Sequence, residues 1–225
     1  HGIDTFDSML NVNKSFREHL KEHCIIQTLQ VEKKIPSQKD KSVKILFRTQ
    51  DNHFIETVSM IDGHRHTVCL SSQSGCALDC SFCATGKLGF GRNLSTGEIV
   101  DQLIFVRGEI NQSITNVVFM GMGEPFHNYN NVLNASDIFH SPKGFNLAST
   151  RITISTAGLL PQIKRFIKEK RRYKLAISLN APNDSVRNDI MPVNKKWPIV
   201  ELIKAGKKYS NQKKRLIMFE YVLLK

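Results

Sequence analysis

From Thr67 onward the chain alternates short β-rich runs with amphipathic helical segments, and few folds accept that order. Thr67–Leu70, Asn116–Met120, Arg151–Ser155, Leu175–Leu179 and Leu216–Leu223 read as strands. A helix follows the Ser95-Thr96-Gly97-Glu98 capping box, with Ile99, Leu103, Val106 and Ile110 on or near one face. Others are expected around Asn131–Phe139, over Leu159–Lys170 with Leu160, Ile163 and Ile167 at helical spacing, and after Pro198. This is βα repeated about four and a half times, which implies a parallel sheet with helices outside it. Ligands of such sheets sit at the C-terminal ends of the strands. Gly75–Gly86, Gly121–Pro125, Ser155–Gly158 and Ser178–Asn180 all fall at or just after those ends.

Upstream, Asn13 can cap a short helix over Lys14–His23, with Phe16 and Leu20 one turn apart. Val43–Arg48 and His53–Met60, separated by Thr49-Gln50-Asp51-Asn52, form a hairpin signal. Lys33–Lys41 is polar and charged enough to read as a flexible linker. Three regions are expected: residues 1–33 as the remnant of a helical accessory domain, 34–66 as linker and hairpin, and 67–225 as the main α/β unit. The sequence begins at His1 without a methionine and stops inside the apolar run Tyr221–Lys225. Both ends are therefore expected to be cut.

No stretch reaches eighteen uninterrupted apolar residues, and the first thirty residues do not resemble a signal peptide. A cytoplasmic protein with no membrane partner, and a monomer, is the expectation. Formal net charge is +12, and residues 151–225 hold 18 Lys and Arg against 5 Asp and Glu. Seven of the eleven residues from Lys164 to Lys174 are basic. A concentrated positive field attracts polyanions, nucleic acid foremost, although a solvated lysine face has the same composition.

Five cysteines are an odd number, and Cys76, Cys80 and Cys83 fall within eight positions, which argues against a disulfide framework. Cys76-Ala-Leu-Asp-Cys80-Ser-Phe-Cys83 has the spacing C-x3-C-x2-C in a loop after a strand. Three thiolates on one loop can hold three irons of a 4Fe–4S cubane and leave the fourth without a protein ligand. S-adenosylmethionine (SAM) can chelate that iron through its amino and carboxylate groups, and an electron from the cluster can break its sulfonium bond. A structural zinc site normally needs a fourth ligand, and no second C-x2-C pair is present. Phe82 can stack near the adenine of SAM or pack in the core.

The segment Cys69–Leu94 resembles the RlmN and Cfr RNA methyltransferases of the radical SAM superfamily. The resemblance continues through Gly121-Met-Gly-Glu-Pro125, Ile154-Ser-Thr-Ala-Gly158, Ile177–Asp184 and Met191–Lys196, in the family's order. It implies a partial (β/α)6 TIM-like barrel with Cys76, Cys80 and Cys83 on the cluster. Gly123 and Glu124 would contact the amino group and methionine portion of SAM, and Ser155, Ser178, Leu179 and Asn180 would make further SAM contacts. The family often carries His where this chain has Asn180. Cys69 matches the cysteine that resolves a covalent protein–RNA intermediate through a transient disulfide, and Glu56 matches a proton acceptor. Cys24 matches nothing.

The resemblance implies methylation of carbon 2 of adenine in 23S rRNA and in some members tRNA, through a methyl-cysteine, with an electron donor such as flavodoxin. Pro125 favours this RlmN-like chemistry, since Cfr-type sequences, which modify carbon 8, tend to have Ala there. The non-enzymatic alternative is an iron–sulfur or zinc RNA-binding module. No cysteine follows Cys83, so these 225 residues alone are expected not to turn over.

Overall fold

The computed structural model describes residues 5–223. Residues 1–4 and 224–225, the outer ends of the first and third expected regions, lie outside the described residues. Helix α1 (Lys14–His23) starts where Asn13 Oδ1 accepts the Phe16 backbone N–H at 2.8 Å, as the sequence predicts. It buries none of its residues. Local capping therefore supports this helix more than tertiary packing does.

Strands β1 (Leu29–Pro36), β2 (Val43–Thr49), β3 (Phe54–Asp62) and β4 (Arg65–Cys69) form an antiparallel meander. The expected hairpin is β2–β3. In β2 the buried residues are Ile45, Phe47 and Thr49, and in β3 Ile55, Thr57 and Ser59, a period of two that puts one face inward. The reading of Lys33–Lys41 as a flexible linker is corrected over its first four residues. Lys33–Pro36 is the end of β1, paired in register with Val43–Leu46. Edge pairing uses backbone groups, so a strand with seven of eight residues exposed carries no apolar alternation to betray it.

Beyond β4 come a short pair, β5 (Gln73–Gly75) with β6 (Phe90–Asn93), and between them the one-turn helix α2 (Ala84–Lys87). Helix α3 (Thr96–Glu109) leads to β7 (Asn116–Phe119), α4 (Tyr129–His140) to β8 (Ile152–Thr156), and α5 (Leu160–Lys168) to β9 (Lys174–Ser178). Helices α6 (Asp184–Ile190) and α7 (Ile199–Lys213) precede β10 (Met218–Glu220). The sheet order is β1-β2-β3-β4-β7-β8-β9-β10, with β4 onward all parallel. Five parallel strands and four crossovers make the expected partial barrel of α/β class, and β4 joins it to the meander.

All five residues of β8 are buried, the signature of a strand covered on both faces. Ile163, Phe166 and Ile167 of α5 and Leu202, Ala205 and Tyr209 of α7 are buried between helices and sheet. Each large apolar side chain so placed stabilises the fold by roughly 2 kcal/mol. The capping box of α3 is complete, since Ser95 and Glu98 satisfy each other's backbone N–H groups. Its Phe105 packs edge-on against Phe47 with ring centroids 5.2 Å apart, and Gln102 Oε1 accepts from both Thr57 Oγ1 and Ser71 N. Thus α3 covers the meander as well as the parallel strands. Among the described residues no helix is long and apolar enough to cross a membrane.

Candidate active site

At the C-terminal ends of the parallel strands a cavity of about 240 Å³ opens. The chain leaves β4 at Cys69, pairs briefly as β5–β6, and between those two strands throws out the cysteine loop. The loop is pinched shut where Cys76 N donates to Gly89 O at 2.8 Å. Gly75 makes the pinch possible: its φ is +73°, and a Cβ there would lie 1.9 Å from Gly89 O. The pairing of β5 with β6 was not expected, because three residues are too few for a periodic signal.

Cys76, Cys80, Cys83 and Phe82 line the cavity from one side. Gly123 and Glu124 follow β7, Ser155 and Ser178 close β8 and β9, and Asn180 follows β9; all line the same space. Burial pushes the Cys80 thiol up to about 12, with Cys76, Cys83 and Glu124 adding repulsion. Burial also raises Cys76. These are the surroundings of thiolates that need a cation to remain charged. Among the described residues no three His, Cys, Asp or Glu side chains converge on one ion-binding point. A cubane gives each thiolate its own iron, so its ligands face a shared volume rather than a shared point. Three soft sulfur donors on one loop, opening on a common cavity, fit such a cluster.

Gly123 has φ +94°, and a Cβ there would sit 2.4 Å from Gln73 Cβ. That close approach lets Gln73 Oε1 accept the Glu124 backbone N–H at 2.7 Å. The Glu124 side chain is 3% exposed; its Oε1 accepts from Phe126 N at 2.9 Å and its Oε2 from Ala157 N at 2.8 Å. Burial pushes its carboxyl up to about 7 against those hydrogen bonds. Each oxygen keeps a further lone pair for a ligand. Asn180 sits at φ +58°, a left-handed conformation that Asn tolerates better than most residues, and its Oδ1 accepts from Val222 N at 3.1 Å.

Three expected site residues do not line this cavity. Leu179 contributes main chain to the strand ends, where its N–H donates to Glu220 O and its carbonyl accepts from Arg187 Nε. Cys69 ends β4, and burial pushes its thiol up to about 11. Glu56 lies on β3 two residues from Val58, the register partner of Cys69, and its carboxylate pairs with Lys44 at 3.0 Å. All five cysteines are free thiols, and Cys24 is exposed.

Sequence reasoning missed Glu220, which lines the cavity, and Arg187, which braces the strand ends behind it. Arg187 is fully buried with no carboxylate in contact among the described residues; it donates to the carbonyls of Ala157, Ser178 and Leu179 and to Asn194 Oδ1. Glu220, at the end of β10, accepts from Ser155 Oγ at 2.7 Å and Ser178 Oγ at 2.8 Å. The surplus of basic residues after Arg151 was the only warning of Arg187, and it pointed to the surface. There, Lys164, Lys168, Lys204 and Lys208 rim a groove of about 520 Å³ between α5 and α7, whereas Arg165 and Arg171 are held by Glu169.

Residues 70–224 match the family model described as the radical SAM superfamily. The chain is 45% identical to a probable dual-specificity RNA methyltransferase RlmN of Leptospira interrogans, over 100% of its own length and 66% of the relative's. It is 43% identical to a protein of the same description from Alkaliphilus oremlandii, covering 100% of this chain and 65% of that one. A crystal structure of a radical SAM methyltransferase from Sphaerobacter thermophilus superposes with a TM-score of 0.93 at 42% identity, covering 98% of this chain and 66% of that one. The chain thus spans just under two thirds of the length of these proteins. With three thiols, a glycine–glutamate turn and the hydroxyls of two further strand ends around one cavity, and a family match running through all of them, the chain belongs to the radical SAM superfamily.

Proposed function

We propose that this chain is the catalytic core of an enzyme that methylates carbon 2 of adenine in 23S rRNA, an activity that in some members of the family extends to tRNA. The observation that carries this reading is the single cavity shared by the cysteine loop and the ends of β7, β8 and β9. Cys76, Cys80 and Cys83 would hold the cluster, which when bound supplies the electron that cleaves SAM. Glu124 would accept the SAM ammonium through a charge-assisted hydrogen bond, with Gly123 letting the backbone approach. Phe82 would stack on the adenine, and Ser155, Ser178, Leu179 and Asn180 would bind the rest.

Carbon 2 of adenine is electron-poor, so direct polar methylation there is unfavourable and a route through a methylated cysteine is reasonable. Cys69 is then the thiol that frees the product, with Glu56 on the neighbouring strand as proton acceptor. The target base must be unstacked to enter, which favours RNA loops over duplex. The lysine-rimmed face of α5 and α7 suits the RNA backbone, and Pro125 supports carbon 2 over carbon 8. The enzyme acts in the cytoplasm as a monomer and draws electrons from a flavodoxin-type donor.

The test is anaerobic reconstitution with iron and sulfide, followed by SAM. A reduced cluster whose electron paramagnetic resonance spectrum shifts on adding SAM supports an open iron. Tight zinc binding with no cubane absorption overturns it. Mass spectrometry of ribosomal RNA from cells expressing the complete gene then reads which carbon carries the methyl group.

A further inference from the structure

A second opening, of about 470 Å³, shares none of its lining with the cysteine cavity. The two are neighbours along the chain, since Pro125 lines the first cavity and Phe126 the second. Its volume falls within the roughly 300–1,000 Å³ of small-ligand sites. Arg165 lies over the Tyr129 ring, 4.1 Å from its centroid, and both line the opening. Glu169 Oε1 accepts from Arg165 Nε at 2.7 Å, and Asn130 Oδ1 accepts from its Nη2 at 3.1 Å, so the guanidinium is held from two sides. One face of that plane is spent on tyrosine. The side chain is still 48% exposed, which leaves the other face open to a second flat group.

The amides beside it are half used. Asn130 has given its oxygen to Arg165, and Asn93 has given its oxygen to Gln73 Nε2 at 2.7 Å. Both residues are exposed and line the opening, and neither NH2 group has an acceptor among the described residues. Asn128 differs, because its NH2 group is taken up by the carbonyls of Ser72 and Leu94. A fixed stacking plane next to two free amide donors suits a heteroaromatic ring with acceptors on its edge. Guanidinium planes and polar side chains recognise unpaired RNA bases in this way, whereas a duplex keeps its base faces covered. A phosphate would have no use for the stack.

We propose that this pocket holds a base flanking the target adenine in single-stranded RNA, stacked on Arg165 and hydrogen-bonded by Asn93 and Asn130. The inference rests on the reading of the chain as an RNA methyltransferase core, and it adds a second base site outside the cysteine cavity. The donors present call for a base edge that carries a carbonyl oxygen, as guanine and uracil have.

The experiment is fluorescence anisotropy of the complete gene product with a single-stranded RNA oligonucleotide containing the target adenine. Two further oligonucleotides carry an abasic residue immediately 5′ or 3′ of that adenine. Arg165→Lys keeps the charge but removes the plane, and Asn130→Ala removes one donor. Asn130 is exposed, so this variant guards against an arginine variant that fails to fold. Each should weaken the intact RNA about tenfold. One of the abasic RNAs should bind wild type about tenfold more weakly, and on that RNA both variants should lie within about twofold of wild type. Equal losses on intact and abasic RNA, or no loss on either, overturn the base site while leaving RNA binding in place. If wild type binds none of the three, the RNA reading falls and this inference falls with it.

Discussion

Arg187 Nη2 donates to Ala157 O at 2.6 Å, so a side chain from α6 fastens the end of β8 from inside the protein. The same nitrogen reaches Ser178 O at 3.0 Å on β9, and Nε reaches Leu179 O at 2.8 Å. Burial lowers the Arg187 guanidinium from its ordinary range, yet four neutral acceptors hold it in place. Arg187→Met should therefore destabilise the chain by about 3–5 kcal/mol, because it leaves buried carbonyls without donors. Urea denaturation of the cluster-free protein measures this. A change under about 0.5 kcal/mol would show that the strand ends hold themselves.

Gly123→Ala places a methyl group against Gln73 at a backbone angle that L-residues rarely adopt. Gln73 must move, and the Glu124 N–H loses its acceptor. A loss of about 2–4 kcal/mol in stability is expected, together with at least about tenfold weaker SAM binding. Thermal denaturation and calorimetric titration read the two effects separately, and unchanged binding would remove Glu124 from the site.

Single alanine substitutions at Cys76, Cys80 and Cys83 should each abolish a stable cubane after reconstitution, since each takes away one of the three proposed protein ligands. Cys24→Ala should not, because Cys24 is exposed and does not line the cavity. Iron per chain and visible absorption decide, and full iron content in any of the first three variants would refute the ligand set.

Glu169 ties α5 to α4. Burial works against its charge, but hydrogen bonds from Arg171, Arg165 and Tyr129 hold its carboxyl at about 2, below the ordinary 4.5. Because the folded value is depressed, its stabilisation is fully present above about pH 4.5 and is lost as pH falls toward 2. Glu169→Gln should lower stability at neutral pH by an amount on the order of 1 kcal/mol after solvent screening, and the gap to wild type should close over that window. A gap that persists unchanged at pH 2.5 would assign the loss to packing instead.

Much of the scaffold was legible in the sequence because its signals are local. The capping box at Ser95 and Glu98, the apolar spacing of Ile163 and Ile167, and the run Ile152–Thr156 each fix their element from within a few residues. The β1 edge strand was not legible, since its partner β2 supplies the order and its own residues are mostly exposed. The pairing of β5 with β6 was hidden for a related reason: the loop it closes separates its halves by fourteen residues.

The sequence by itself determined the alternation that makes a parallel sheet, the three-thiol loop and the placement of the predicted site residues at or after strand ends. These follow from backbone periodicity and from donor chemistry, both written in residue order. Only the tertiary structure decided that Glu220 completes the same cavity and that Arg187 secures its rim, while Glu56 stands outside it beside Lys44. Whether a carboxylate is spent on a neighbouring serine or paired with a lysine depends on what long-range packing brings within hydrogen-bond reach. Residue order does not fix that.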